Sequence, residues 1–529
     1  MAVALHTGAV IRLPTGTLAP VSSATNGCRG AFPPLPKHAA LDKHESMDTN
    51  SLRQQLIATG QQGALRFFEQ IDAAGQQRLL EQLGALDLPH IQQLVETCVT
   101  HKPHIPLPKN IQPVEAYPRQ PGEKHRKLYA DAEARGRQLL REGRVAAFLV
   151  AGGQGTRLGY DGPKGEYPIT PIKSKPLFAV FAEQLLAYSR DYKKIIPWYI
   201  MTSDVNDAAT RDFFKNSVYF GYDPSSIFFF QQGMMPAFAM DGQMLLADKS
   251  SLALSPDGHG GSLRALHRSG ALADMRRRGV EHLSYFQVDN PLVHCVDPLF
   301  LGLHELTGSE MSSKTIPKAG PLEKVGNFVL ADGVLQVIEY SDLPDDLAKQ
   351  TNPDGALRFN AGSIAIHALR VEFIERLNAG GRLELPWHRA EKKVTSIDEQ
   401  GKPIKPDKPN AIKLEQFVFD AIPLARNAIV YTTDRGEEFS PVKNADGTDS
   451  PVTSRRDQIR RAARWLQEAG VQVAQKDGEP DCVLEISPLY ATTAEQFASR
   501  ALSIKAVTPG GILYFDPGGL ETEAGDRET

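Results

Sequence analysis

The chain has 529 residues, enough for two or three domains around a large core, with 41% hydrophobic and 23% charged residues, ordinary values for a soluble globular protein. A formal net charge of −4 gives no basic footprint for coating nucleic acid, although a local basic pocket for a small anion stays open. Four scattered cysteines (Cys28, Cys98, Cys295, Cys482) form no Cys-x-x-Cys pair, which argues against structural zinc and a disulfide framework and for a reducing cytoplasm. No apolar run approaches the roughly 18 residues of a membrane span.

Residues 1–50 read as a disordered or targeting-like tail, acid-poor before Asp42 and without a convincing apolar segment; an over-long start ahead of Met47 would look the same. Residues 51–125 form a helical region. Leu52, Leu56, Leu65, Phe68, Ile71, Leu79, Leu83 and Leu86 recur every three or four residues, a face expected to dock on the core. A proline-rich connector, KPHIPLPKNIQPVEAYPRQP, closes that region. From 126 to 450 short apolar runs alternate with helical stretches: VAAFLV (145–150), KIIPWYIMTS (194–203), SIFFFQQG (226–233) and HLSYFQVD (282–289). That alternation predicts an α/β fold with a mostly parallel sheet covered on both faces, its ligands bound beyond the carboxyl ends of the strands. Those ends carry AGGQGTR, MTSD, QQG and VDN. GSLRALHRSGALADMRRRG reads as a helical stretch, and VGNFVLADGVLQVIEYSD as a hairpin around Asp332-Gly333, inserted beside the parallel sheet. Residues 451–529 form a small β-containing C-terminal domain behind the helix RRDQIRRAARWLQEAG, with the last ten residues expected to fray.

The stretch VAGGQGTRLGYDGPK (150–164) concentrates the chemistry. It is no dinucleotide fingerprint, because position 158 is Leu where a third glycine is needed, and no ATPase phosphate loop, because Lys164 follows Pro163 and precedes Gly165. A plain glycine turn does not explain two cations in one loop. Gly152, Gly153 and Gly155 let backbone N–H groups approach anionic oxygens, Arg157 offers a planar fork, and Lys164 a mobile point charge. The stretch therefore reads as a site for phosphoryl transfer.

GGQGTRLG followed by PK resembles the signature of nucleotide-sugar pyrophosphorylases. In the same order, IIPWYIMTS, FFQQGMMPA, PDGHGGSLRAL, VDNPLV, VIEYSD, FNAGSIA, KPDKPNAIKLEQFVFD and EFSPVKNADG resemble the eukaryotic-type UDP-N-acetylhexosamine pyrophosphorylases. The resemblance implies a Rossmann-like (GT-A-like) nucleotidyltransferase domain over 126–450 that joins UTP to a sugar 1-phosphate, most readily N-acetylglucosamine 1-phosphate, with Mg²⁺ or Mn²⁺ as cofactor. It implies that Val150, Ala151, Gly152, Gly153 and Gly258 hold the nucleotide, with Arg157, Lys164 and Lys413 on its phosphates. Gln232 would read uracil, as one amide can both donate and accept. Asp289 would lie near the phosphates as the candidate metal ligand. His259, Glu339, Tyr340, Asn360 and Ser363 would face the sugar, and Lys443 the reacting phosphate. Arg157, Lys164 and Lys443 are the candidate catalytic groups. Without the family context, Asp289 would read as a helix cap, Glu339 as an exposed hairpin residue, and Lys413 and Lys443 as surface charges.

Two positions depart from that family. Gly258-His259-Gly260-Gly261 stands where GNGG is typical, and FNAGS ends in Ser363 rather than Asn. Both place the sugar in question, so a UDP-glucose or broad-specificity pyrophosphorylase is the alternative. A GT-A glycosyltransferase would need an Asp-x-Asp after a strand, which VDN lacks. A silent nucleotide-sugar-binding protein would not need Arg157, Lys164 and Lys443 together.

Overall fold

The odd and even residues of one strand already divide the interior in two. Val145, Ala147 and Leu149 point into one buried cluster and Ala146 and Phe148 into another, as the period of two requires in a strand covered on both faces. The computed structural model describes residues 49–102, 108–383, 385–500 and 503–523. Of the tail reading for 1–50, residues 1–48 fall outside them, while Thr49 and Asn50 begin a helix.

Ten strands build the central sheet: β1 Ile111–Pro113, β2 Val145–Val150, β3 Trp198–Thr202, β4 Ile227–Gln231, β5 His282–Gln287, β6 Met311–Pro317, β7 Asn327–Ala331, β8 Val334–Ile338, β9 Ala361–Arg370 and β10 Ile429–Thr432. The path runs β1-β7-β9-β5-β2-β3-β4, with β8 on β7, and β6 pairing both β9 and β10. β5, β2, β3 and β4 are parallel neighbours. β9 runs against β5, so β6 and β7, both antiparallel to β9, run with it, as does β10 beside β6. Seven strands thus share one direction, against β1, β8 and β9. The predicted mostly parallel α/β sheet stands.

Six helices matter to the site: α1 Arg126–Glu142, α2 Leu177–Tyr192, α3 Asp207–Asn216, α4 Ser262–Arg268, α5 Pro298–Leu306 and α6 Pro451–Glu468. α1 and α5 touch backbone to backbone: a Cβ on Gly136 would lie 1.7 Å from the Pro298 carbonyl oxygen, and one on Gly302 1.6 Å from that of Ala132. That contact fixes the start of α5, whose N-cap, Asp297, accepts the Phe300 N–H.

Helices Thr49–Ala58, Ala73–Gly84 and Leu88–Leu94 start the described chain, the latter two capped by Asp72 and Asp87. Their apolar faces pack on Met235, Phe238, Leu246, Trp387 and Leu414, so the region docks on the core as expected. At the other end, α6 opens with a Ser450–Thr453 capping box and packs Trp465 and Leu466 against β11 Cys482–Ile486 and β12 Gly511–Asp516.

Three local expectations change. The stretch 261–279 is two helices, α4 and Ala271–Arg278, broken at Gly270, which takes φ +81°. The hairpin turns at Asp332 and Gly333 (φ +51° and +82°) but is woven into the sheet, β7 pairing with both β1 and β9. Of the last ten residues, 520–523 belong to a strand, β13 Gly519–Glu523, antiparallel to β12, and 524–529 lie outside the described residues.

Candidate active site at the ends of the parallel strands

The loop after β2 folds back on itself. Lys164 N–H donates to the Gly153 carbonyl at 3.1 Å and Gly155 N–H to that of Gly162 at 2.9 Å, so Lys164 is brought back beside the glycines. Asn206 holds the loop from below, its Nδ2 donating to the carbonyls of Ala151 at 2.9 Å and Gly153 at 3.3 Å. At Gly152 a Cβ would sit 2.8 Å from Gln232 Oε1, which places the end of β4 against the loop. At Gly165 a Cβ would enter the Phe178 ring, 2.1 Å away, so only glycine lets Lys164 approach α2 so closely.

Charge converges on this loop from three directions. Lys164 Nζ lies 3.9 Å from Asp289 Oδ2, both side chains 15% exposed. Burial holds the Lys164 ammonium below its ordinary pKa; Asp289 opposes that, and Lys443 and Arg157 add to it. Asp289 follows β5, and its carbonyl accepts the Val442 N–H at 2.8 Å, which sets Lys443 beside it. Arg157 and Lys443 thus crowd Lys164, with Asp289 beside Lys164 and Asp449 3.9 Å from Lys443, so three cations face two carboxylates, an excess of positive charge suited to a polyanion.

Next to them a cavity of ≈ 180 Å³ is lined by His259, Asp289, Asn290, Glu339, Ser363 and Lys443, with Phe286, Phe419 and Phe439 as its apolar wall. His259 is locked in place. Its Nδ1 accepts the Val418 N–H at 3.1 Å, which assigns the ring proton to Nε2, and the ring stacks on Phe417 at 5.2 Å and 22°. Phe417 stacks in turn on His388, at 4.3 Å and 29°. Burial, reinforced by His388, pushes the His259 pKa down to about 4, so the ring is a neutral donor at physiological pH. Gly258 takes φ +87° with its Cβ position 2.4 Å from the Gln416 carbonyl oxygen, holding the Gly-His-Gly turn against residues 416–418. Burial raises the Glu339 carboxyl pKa, with Asp342 adding to the effect.

Gln232 lines a second, larger cavity with Gly233, Gly261 and Arg264, to which the N-terminal helices contribute Arg78 and Gln82. Six predicted residues line these two cavities; the loop residues Val150, Ala151, Gly152, Gly153, Arg157 and Lys164 line neither, and nor do Gly258, Tyr340, Asn360 and Lys413. Tyr340 is 47% exposed. Asn360 Oδ1 accepts the Lys318 N–H at 2.8 Å and lines a neighbouring cavity with Thr315, Phe328 and Arg358. Lys413 sits mid-strand in Ala411–Glu415, opposite Ala390.

Sequence reasoning missed the groups beneath the site. Asp257 is fully buried under Gly233 and Gly261, whose Cβ positions would each fall 2.1 Å from its carboxylate, and pairs with Arg264 at 3.2 Å. Lys314, 1% exposed, lies 2.6 Å from both Asp297 and Glu438. With His294 those two carboxylates make a group of metal-binding geometry, but the Lys314 ammonium already sits against both. A buried lysine in the strand MSSKTIP leaves no motif; only its paired carboxylates, distant in sequence, reveal it. For a divalent ion at the phosphates the fitting residue is Asp289. Its carboxylate has no side-chain partner nearer than Lys164 at 3.9 Å among the described residues, and one hard oxygen plus phosphate oxygens suits Mg²⁺ or Mn²⁺.

A doubly covered sheet with a cationic glycine loop at the mouth of its parallel half defines a nucleotidyltransferase of the nucleotide-sugar class. Residues 92–455 match the family described as UTP--glucose-1-phosphate uridylyltransferase, and the chain belongs to that family. It is 36% identical over 87% of its length to the UDP-N-acetylhexosamine pyrophosphorylase-like protein 1 of Xenopus tropicalis, covering 95% of that protein. It is 39% identical over 69% of its length to the UDP-N-acetylglucosamine pyrophosphorylase of Saccharomyces cerevisiae, covering 77% of it. Among solved structures, the uridine diphosphate N-acetylglucosamine pyrophosphorylase of Trypanosoma brucei in complex with inhibitor superposes with a TM-score of 0.73 and 26% identity, over 87% of this chain and 98% of that one.

Proposed function

We propose that this chain transfers uridylyl from UTP to N-acetylglucosamine 1-phosphate, giving UDP-N-acetylglucosamine and pyrophosphate. The carrying observation is the convergence of Arg157, Lys443 and Asp289 on Lys164, with Asp289 and Lys443 lining the same cavity as His259, Glu339 and Ser363. The glycine backbone of 150–153 and Gln232 take the nucleotide, and Glu339 accepts from sugar hydroxyls. A sugar 1-phosphate is an ionised nucleophile and needs no general base. One of its phosphate oxygens attacks the α-phosphorus in line as the bond to the bridging oxygen breaks, and pyrophosphate leaves with that electron pair. The barrier is the meeting of two polyanions, so the lysines and arginine act by neutralising and positioning charge. Mg²⁺ or Mn²⁺ held by Asp289 would supply further neutralisation of phosphate oxygens. A cytoplasmic setting is supported by Cys98, Cys295 and Cys482, all buried and unpaired.

His259 favours a second reading of the sugar. Its ring offers one fixed donor, where an asparagine would offer both a donor and an acceptor, so glucose 1-phosphate is a competing substrate. The test incubates the chain with UTP, Mg²⁺ and a panel of sugar 1-phosphates and measures pyrophosphate. Release with N-acetylglucosamine 1-phosphate is expected; release with glucose 1-phosphate alone establishes the second reading, and no release with any sugar rejects both.

A further inference from the structure

The groups proposed to handle phosphate sit on two separate loops, Asp289 after β5 and Lys443 after the turn Arg435–Glu438. One side chain sews those loops together. Asn290 Nδ2 donates to the Glu438 carbonyl at 2.6 Å, and Asn290 Oδ1 accepts the Ser440 N–H at 3.1 Å and the Leu292 N–H at 3.3 Å. Asn290 is 5% exposed, and although it borders the cavity, its amide is committed to the backbone of both loops. Behind it the Glu438 carboxylate is gripped by Lys314 Nζ at 2.6 and 2.7 Å, and Lys314 also holds Asp297, the N-cap of α5. Arg461 of α6 bridges the same two segments from the far side, donating to the Leu292 and Glu437 carbonyls at 3.1 and 3.2 Å.

We propose that Asn290 is a positioning residue that clasps the Asp289 and Lys443 loops into one charge-handling unit, with the buried Lys314–Glu438 pair as its anchor. The proposal rests on the reading that Asp289 and Lys443 face phosphate. An amide is the group the position calls for, since it donates to a carbonyl and accepts an N–H at once. Aspartate keeps the acceptor but sets an anionic oxygen against the Glu438 carbonyl; alanine removes all three bonds. Neither change touches Gln232 or the glycine loop, which β2 and β4 carry, so nucleotide affinity is a separate readout.

The experiment compares full-length wild type, Asn290→Ala, Asn290→Asp and Lys443→Ala. Calorimetric titration with UTP counts folded sites, and steady-state kinetics give kcat per folded site and both KM values. A displacement of about 1 Å between reacting groups lowers the rate by about 100-fold. The expected result is a fall of that order in kcat per folded site for both Asn290 variants, with the KM for UTP within about threefold of wild type. A merely structural asparagine would lower the number of UTP-binding sites and leave kcat per site unchanged, and that outcome overturns the clasp. Lys443→Ala separates the two ideas: an inactive Lys443→Ala beside active Asn290 variants sinks the clasp alone, whereas an active Lys443→Ala sinks the phosphate role of Lys443 and the clasp with it. If the Asn290 variants do not fold, Arg461→Gln loosens the same two segments and is read by the same criteria.

Discussion

At Lys164 the folded chain holds a cation where it is less favourable than in water: 15% exposed, near Arg157 and Lys443, relieved only by Asp289. Its folded pKa lies below the unfolded one, so its contribution to stability is present above the unfolded pKa and lost as pH falls through the folded pKa. At neutral pH, therefore, removing the charge should help the empty protein. Lys164→Met is expected to raise the unfolding free energy by about 1 kcal/mol in a melt without nucleotide, while lowering kcat at least about 100-fold. A variant less stable than wild type contradicts the electrostatic account. Activity needs the protonated form and declines as pH rises through the folded pKa. UTP pulls that pKa back up, so kcat/KM for UTP should decline at lower pH than kcat does. Glu339 shows the opposite shift. Its raised carboxyl pKa means its stability contribution is present below the unfolded pKa and is lost as pH rises through the folded one. Glu339→Gln should then fold at neutral pH at least as well as wild type, while the KM for the sugar 1-phosphate rises by about tenfold and that for UTP stays put. An unchanged sugar KM would remove Glu339 from the sugar site.

The elements divide into those that periodicity announces and those that packing decides. VAAFLV maps onto β2 without error, because a fully buried strand is a continuous apolar run with nothing else to become. The loop after it stands out in the sequence because glycines and cations share fifteen residues, and the fold does bring Lys164 back beside the glycines. The clasp was not legible, since Asn290, Lys314 and Glu438 lie on three elements and carry no local pattern. Nor was the exposure of Tyr340, which shares a motif with Glu339 but points away on the neighbouring step of the chain. The contact between α1 and α5 was equally silent: two glycines in helical stretches read as weak points, yet they allow the backbones to touch. In an isolated helix Gly→Ala stabilises by about 1 kcal/mol. Here Gly136→Ala should do the reverse, because its Cβ would meet the Pro298 carbonyl, and overpacking of that kind costs about 1–3 kcal/mol or more. Denaturant unfolding decides the sign. The shift should also lower turnover, since Asp297, the N-cap of α5, is a partner of Lys314.

Across the whole molecule the C-terminal strands hold the chain that follows the glycine loop. Lys164 is followed by Pro168–Pro176, a turn whose tip presents the N–H groups of Ile172 and Lys173 to Glu485 on β11, at 2.6 and 2.8 Å. α6 holds the base of the same turn, Arg455 donating to the Pro168 carbonyl and Gln458 to that of Ile169. Lys175 adds a bridge between Glu183 of α2 and Tyr514 of β12. Because Glu485 is 5% exposed, truncating it strands backbone donors that water reaches poorly. Glu485→Ala is expected to lower stability by about 1–3 kcal/mol. Arg460→Ala, which removes the solvent-screened Arg460–Glu479 pair elsewhere on the C-terminal segment, should leave stability essentially unchanged. The pair of variants separates bracing from mere attachment. If the C-terminal unit only rides on the core, Glu485→Ala loses stability but keeps wild-type kcat per folded molecule. If it braces the loop, kcat falls together with stability while Arg460→Ala leaves both unchanged. The second pattern is the one the geometry calls for, because Lys164 and the Glu485-bound turn lie within nine residues of each other on one continuous run of chain.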